Sequence, residues 1–307
     1  MRRLMIVCLV LCCLLAGCEK EVPQAQRTVF AMDTVMDLQI HGADCEAAAT
    51  ELTALINELE TTWSVTREDS LIHQLDTAQL TDGQTELFYR VRALQTRTNN
   101  FFDPTLQKVC AAWGMYTKSY RLPSLEELHL AMTREEWDLG AAMKGYCGEQ
   151  AVALMDTMDI EYAILDLGGN IQTYKQKPDG TPWKIGIQNP DGGDPLGVLS
   201  VTGTMAIVTS GDYQRSFELD GKRYHHIIDP RTGYPAESGL RSVTVISSSG
   251  LTADCLSTAL FVMGLDSGSD FWRESNDFEA VFVTTDGTIY ATAGVSLSGC
   301  QYEVISR

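Results

Sequence analysis

The chain has 307 residues, with 23 Lys and Arg against 41 Asp and Glu, and a formal net charge of −18 at pH 7. A surface this acidic lacks the basic footprint of a nucleic-acid-binding protein, and an anionic substrate would need local help from a metal ion or a helix N-terminus. Beyond the first 18 residues five cysteines remain, at 45, 110, 147, 255 and 300. An odd, scattered set with no CxxC pair is neither a disulfide framework nor a zinc knuckle.

In chain order, Arg2 and Arg3 precede an apolar run from Leu4 to Leu15 that ends in Leu15-Ala16-Gly17-Cys18. A basic start, a short apolar stretch and small residues before a cleavage point read as a secretory signal. The run is too short for a comfortable bilayer span of ~20 residues. The cysteine after Leu-Ala-Gly resembles a bacterial lipobox. That resemblance implies a signal over 1–17, a lipidated Cys18, a polar tether over 18–27 and a domain over 28–307. It also implies a protein anchored to the cell membrane by lipid, on the extracytoplasmic side.

Thr28 to Ile40 has strand character, with Met36, Leu38 and Ile40 alternating with Asp37 and Gln39. Leu52, Leu55, Ile56 and Leu59 make the stripe of an amphipathic helix. Leu87, Val91 and Leu94 mark a second, stopped by Asn99-Asn100, and Ser124 to Met132 a third after Pro123. Lys144 to Met158 reads as a helix and Tyr162 to Leu167 as a buried strand, followed by Gly168-Gly169. Ile171–Lys175 and Trp183–Gln188 flank Pro178-Asp179-Gly180 as a hairpin. Val198–Val208 and Ser242–Ser247 are further strands. Leu256, Ala259, Leu260 and Met263 mark a helix capped by Gly264, and a closing hairpin surrounds Asp286-Gly287. Helices interleave with strands that come mostly as hairpins, which favours an α+β fold with largely antiparallel sheet over a doubly wound parallel one.

The richest stretch is Thr209 to Pro235, TSGDYQRSFELDGKRYHHIIDPRTGYP. Asp220-Gly221 is a residue pair favoured in a two-residue turn with positive φ. That register sets Glu218 opposite Arg223 and Phe217 opposite Tyr224. His225 and His226 then point to opposite faces and cannot chelate one metal together. Asp229-Pro230-Arg231-Thr232-Gly233 reads as a turn. By spacing alone this is equally a catalytic hairpin or a polar hairpin with solvated histidines. Asp254 and Thr258, four apart, lie on one side of the last helix. A carboxylate plus a hydroxyl suits Mg²⁺; alternatively Asp254 favours a helix N-terminus and Thr258 is core.

Seven segments in a fixed order carry a family resemblance: Met32-Asp33-Thr34, Phe102-Asp103-Pro104-Thr105, Lys144-Gly145-Tyr146, Asp166-Leu167-Gly168-Gly169-Asn170, Trp183 to Ile187, Thr209 to Pro235, and Ala253 to Ala259. From Arg27 to Arg307 the chain resembles the ApbE-type flavin transferases. The resemblance implies a T-fold-like mixed fold with largely antiparallel sheets packed with helices. It implies a Mg²⁺-dependent enzyme that takes FAD as substrate. The FMN half would be moved onto a Ser or Thr hydroxyl of an extracytoplasmic target protein, with release of AMP. Hydrolysis of FAD to FMN and AMP, or flavin binding without chemistry, are the alternatives. By the same resemblance the metal contacts are the Ala141 carbonyl, Asp254 and Thr258. The flavin contacts are Met32, Phe101, Phe102, Asp103, Asp138, Lys144, Gly168, Gly169 and Ile228. His226 is the base, and Asp229 either orients its ring or holds the turn. The family's usual KGYAVD reads KGYCGE here, with Glu149 a longer stand-in for Asp and Cys147 and Cys255 near the site.

Overall fold

A computed structural model describes residues 22–75, 79–133 and 135–307. The signal segment, Cys18 and the start of the tether lie outside the described residues. The architecture is α+β, as expected. A nine-stranded sheet has the order β1-β2-β3-β4-β7-β10-β11-β12-β14. Its members are β1 Gln24–Ala31, β2 Thr34–Gly42, β3 Ile160–Asp166, β4 Asn170–Tyr174, β7 Ala206–Gly211, β10 Leu240–Ser247, β11 Phe278–Thr284, β12 Ile289–Thr292 and β14 Glu303–Ile305. Every neighbouring pair is antiparallel except β12 with β14. A three-stranded sheet, order β13-β6-β5, contains β5 Trp183–Ile187, β6 Gly197–Val201 and β13 Leu297–Ser298. The hairpin of β8 Ser216–Leu219 and β9 Lys222–His225 stands apart.

Period-two patterning divides the large sheet into two faces. Met36, Leu38 and Ile40 of β2 are fully buried with Ala163 and Leu165 of β3 on the inner face. That face is covered by α1 Cys45–Trp63, α5 Met143–Met155 and α6 Gly250–Arg273. On the outer face Ile207, Ile246, Val281 and Val283 pack with Ile185, Ile187 and Leu199 of the small sheet. The remaining helices are α2 Asp82–Arg97, α3 Gln107–Ala112 and α4 Leu125–Met132. Both α2 and α4 start with capping boxes, Thr81 with Gln84 and Ser124 with Glu127, which satisfy N–H groups that have no partner within the helix. Among the described residues no helix is long and apolar enough to cross a membrane.

Several expectations are corrected. Thr28–Ile40 is not one strand but the β1–β2 hairpin, which turns at Met32 and Asp33 with φ of 50° and 60°. Neither residue belongs to the Asn-Gly or Asp-Gly pairs that announce such a turn. Gln24 to Arg27, read as tether, form the first half of β1. Ile171–Lys175 and Trp183–Gln188 are not a hairpin: β4 pairs with β3 and β7, while β5 pairs with β6 in the other sheet. Val198–Val208 likewise splits into β6 and β7, one for each sheet. Gly264 does break the last helix, with φ 81° and ψ 178°, but helical structure resumes and runs to Arg273. The Asp220-Gly221 turn and its register, Phe217↔Tyr224 and Glu218↔Arg223, are as expected.

Candidate active site

The site is built where the N-termini of α5 and α6 cross. A Cβ on Gly145 would lie 2.1 Å from the Gly250 carbonyl oxygen, and one on Gly250 would lie 2.3 Å from that of Gly145. Glycine at both positions is therefore what lets the two backbones touch. The N-cap of α5, Ala142, has no side chain that can cap. Asp254 of α6 does it instead, its Oδ2 accepting from the Gly145 N–H at 2.7 Å. The favour is returned by Glu149 of α5. Its Oε1 accepts from Ser249 Oγ at 2.6 Å and from the Leu251 N–H at 3.1 Å, and its carboxylate pairs with Arg90 of α2 at 2.7 Å. Each helix thus carries the carboxylate that satisfies the other's unpaired N–H groups.

Asp254 is buried, and burial pushes its carboxyl pKa up against the opposing pull of Lys144. Burial pulls the Lys144 ammonium down, with Asp254 acting the other way. Lys144 Nζ donates to the Gly168 carbonyl at 3.1 Å. Gly168 and Gly169 both take positive φ, and both of their N–H groups donate to Asp166 Oδ1 at 2.9 Å. A Cβ on Gly168 would sit 2.3 Å from Thr34 Oγ1, so only glycine fits under the β1–β2 tip. One turn beyond Asp254, the Thr258 hydroxyl lies 3.4 Å from Ser210 Oγ of β7. Ala141 lies in the turn that enters α5, three residues before Lys144. Asn170 lies beside Asp254, and its side-chain amide works with the Gly145 N–H to lower the carboxyl pKa against the larger effect of burial. The expected metal donors are a carboxylate, a hydroxyl and a carbonyl, all hard oxygens that fit Mg²⁺. An incompletely compensated buried carboxylate is what a cation would satisfy.

The rim comes from two hairpins. Met32, half-buried, donates its N–H to Glu60 at 3.0 Å. Asp33 pairs with Lys118 at 2.7 Å and with Arg215 at 3.6 Å. The Arg215 carbonyl accepts the His226 N–H at 3.0 Å, which ties the rim to the β9 exit. His226 has its Nδ1 buried with no hydrogen-bond partner. Burial, then the cations Arg215, His225 and Lys144, push its pKa down to about 3. His225 goes elsewhere, its Nε2 on the Ala236 carbonyl and its ring edge-on to Phe261. The two histidines are separated, as the alternation requires.

The remaining expected residues take varied places. Phe101 lies under the Arg231 guanidinium at 4.5 Å. Phe102 is 2% exposed and belongs to the core, so its side chain is not on the surface of the site. Asp103 Oδ1 accepts from the Thr105 N–H and hydroxyl at 2.8 and 2.6 Å, which folds the Phe-Asp-Pro-Thr turn. The Asp138 N–H bonds the Pro104 carbonyl, and its carboxylate accepts from Tyr116 OH at 2.5 Å and the Gly140 N–H at 2.8 Å. Ile228 is buried with Val109, Trp113 and Leu128. Asp229 holds its own turn: its carbonyl accepts from the Thr232 and Gly233 N–H groups and its carboxylate grips Arg231 at 2.7 Å. Burial pushes the Asp229 carboxyl up, but the Arg231 hydrogen bonds outweigh this and hold it low. Of its two expected roles, holding the turn is the one seen. Sequence reasoning missed Arg90, Asn170, Ser210 and Arg215. Ser249, directly before a helix start, carried an N-cap signal that could have been read.

In a protein this acidic, Lys144 and Arg215 stand close enough to act on each other and on His226; such a local concentration of positive charge suits a phosphorylated ligand, so the class defined is an α+β enzyme of phosphoester chemistry. Comparison with known proteins carries the assignment further. The family model described as ApbE family matches residues 32–282, and the chain belongs to that family. The FAD:protein FMN transferase of Klebsiella pneumoniae (strain 342) is 31% identical over 281 residues, covering 82% of this chain and 86% of that protein. The protein of the same name from Treponema pallidum (strain Nichols) is 29% identical over 338 residues, covering 93% of each. Among solved structures, the ApbE protein of Thermotoga maritima superposes with a TM-score of 0.80 at 29% identity, covering 87% of this chain and 96% of that one. The flavin transferase ApbE of Vibrio cholerae gives 0.78 at 26% identity, covering 89% and 98%.

Proposed function

We propose that this protein transfers the FMN moiety of FAD to a Ser or Thr hydroxyl of a target protein and releases AMP. The relatives are named for that reaction. The observation that carries the reading is the junction itself: Asp254, buried at the N-terminus of α5, beside Lys144 and one turn before Thr258. In this reading Ala141, Asp254 and Thr258 hold Mg²⁺, which when bound supplies charge neutralisation at the diphosphate. The protein acts outside the cytoplasm, lipid-anchored through Cys18. Support for that placement is the Leu15-Ala16-Gly17-Cys18 sequence.

The chain's own residues have definable tasks. Lys144 and Arg215 set positive charge against the diphosphate. The missing side chain of Gly169 leaves the ligand room for close approach to the backbone, while that of Gly168 admits Thr34. Met32 and Phe101 offer apolar surface to the flavin. In the reaction, the acceptor oxygen bonds to the FMN phosphorus as the bond from that phosphorus to the bridging oxygen breaks, and AMP leaves with that oxygen. The hydroxyl proton passes to His226. Burial and neighbouring cations keep its ring neutral but weaken it as a base, so this role requires the ligand's anionic diphosphate to offset Lys144 and Arg215 and raise its pKa. Most of the acceleration then rests on positioning and charge stabilisation, as in phosphoryl transfer generally.

The test uses the full chain in detergent with FAD, Mg²⁺ and a Thr-bearing candidate acceptor. In-gel flavin fluorescence with an equal yield of AMP is the expected result. AMP and FMN without label would replace transfer by hydrolysis. Flavin binding with neither product would remove the enzymatic reading.

A further inference from the structure

The outer face of the large sheet carries a second concavity, a groove of about 460 Å³. It is walled by β5 and floored by outward-facing residues of β2, β3 and β4, among them Gln39, Ile164 and Ile171. Of the site residues discussed above, Asp166 and Gly169 line it. Three observations say what it takes.

The first is an open strand edge. Among the described residues β5 pairs only with β6. The Ser200 N–H points away from β5, to the Ser296 carbonyl, while the Ile187 carbonyl points toward the β6 side, accepting from Leu196. By the alternation of an antiparallel ladder, Lys184 and Gly186 present their N–H and C=O groups on the free edge. The second is charge. Asp37 and Asp166 are direct partners across β2 and β3, so the groove floor is acidic. Its cation, Lys184, is engaged with Ser200 Oγ at 2.6 Å. A dinucleotide diphosphate is repelled here and attracted to the Lys144 side; a neutral polypeptide backbone is not repelled. The third is continuity. Gly169 lines the groove, and the carbonyl of the adjacent Gly168 holds Lys144. The groove lining and the group that holds Lys144 are thus consecutive residues.

We propose that an extended segment of the acceptor protein docks in this groove as a strand added to the free edge of β5, and so delivers its hydroxyl past Gly169 to the bound dinucleotide. Main-chain hydrogen bonds to Lys184 and Gly186 supply affinity, and alternate side chains meet Ile164 and Ile171, the apolar part of the floor beside Asp37 and Asp166. The proposal rests on the transferase reading and adds the acceptor's binding mode to it.

The probe is a pool of unstructured Thr-containing decapeptides, offered to the full chain with FAD and Mg²⁺. Flavin-labelled peptide, released AMP and FAD affinity are measured together. Lys184→Pro removes an outward N–H from an edge strand that tolerates proline. Gln39→Trp fills the floor from β2. The wild type is expected to label part of the pool. Each variant is expected to lose about tenfold in labelling through a higher peptide KM, a 1.4 kcal/mol effect, with FAD affinity unchanged. A variant that binds FAD like the wild type and still labels at the wild-type rate overturns the groove while transfer stands. So does a wild type that labels a folded Thr-bearing acceptor protein but no peptide, whereas one that releases AMP and FMN and labels neither replaces transfer by hydrolysis. A wild type that neither labels nor releases AMP overturns the transferase reading itself.

Discussion

The helix junction and the hairpin rim hold charge in opposite ways. At the junction, Asp254 and Glu149 are withdrawn from solvent, and each satisfies N–H groups of the other's helix. At the rim, Asp33, Lys118 and Arg215 meet in water at the tip of one hairpin and the root of another. A buried carboxylate cannot be screened or moved cheaply, so the junction fixes geometry. Exposed pairs contribute little to stability and can exchange partners, so the rim can adapt to a ligand. A rigid base under a yielding rim suits a reaction in which a dinucleotide must be held while a second, larger substrate arrives.

Attacks on the junction should do most damage. Asp254→Ala is expected to lower AMP release and flavin labelling by about 100-fold or more, the scale of removing one electrostatic stabiliser. Asp254→Asn should be as inactive yet raise the metal-free melting temperature at neutral pH. Its carboxyl pKa is raised in the folded state, so ionisation opposes folding at neutral pH, and that penalty fades as pH falls through the folded value. The Asn gain should therefore vanish on acidification; a loss of stability at neutral pH would show that the charge is already compensated.

Gly145→Ala forces a methyl to within 2.1 Å of the Gly250 carbonyl. Overpacking of this kind costs about 1–3 kcal/mol, measurable by urea titration, with activity falling alongside because α5 and α6 must part. Glu149→Gln leaves Arg90 without its ionic partner, and a loss of about 1–3 kcal/mol is expected. Glu149→Asp should recover less than half of it, because the shorter arm cannot reach both Arg90 and Ser249. Equal stability of the Gln variant and the wild type would reduce the exchange of caps to coincidence.

At the rim the effects shrink. With its pKa pushed down to about 3, His226 stays neutral as pH falls through the ordinary imidazole range. The kcat/KM profile for FAD should therefore show no acid limb near pH ~6.5. An inflection there that disappears in His226→Asn would show the ring to be solvated in the working enzyme. Arg223→Ala, which removes the cross-strand pair with Glu218, should cost below about 1 kcal/mol and leave AMP release unchanged.

Legibility followed the same division. The β8–β9 hairpin was readable because Asp220-Gly221 states its turn locally, and both take positive φ. The stripe of α1 and the alternation of β2 were readable because their periods are written in consecutive residues. The β1–β2 turn was not, because Met32 and Asp33 are held at positive φ by surroundings that come from elsewhere in the chain, including Glu60, Lys118 and Arg215. The assignment of β4 and β5 to different sheets was equally hidden, since a Pro-Asp-Gly turn between two strands looks the same whether or not they pair. Glu149 read as a stand-in for Asp; nothing near it in sequence announces that it accepts from the first turn of a helix that starts at Gly250.

The sequence by itself determined the element types, the hairpin register, the acidic surface and the order of motifs that marks the ApbE family. These depend on side-chain period, turn chemistry and charge, each a property of neighbours along the chain. Tertiary structure alone decided that two glycines would let α5 and α6 touch, that α5 would take its cap from Asp254 while Glu149 would supplement Ser249 at the start of α6, and that β5 would keep a free edge. Those are long-range facts, fixed by which backbone groups remain unsatisfied once the sheet has closed around them.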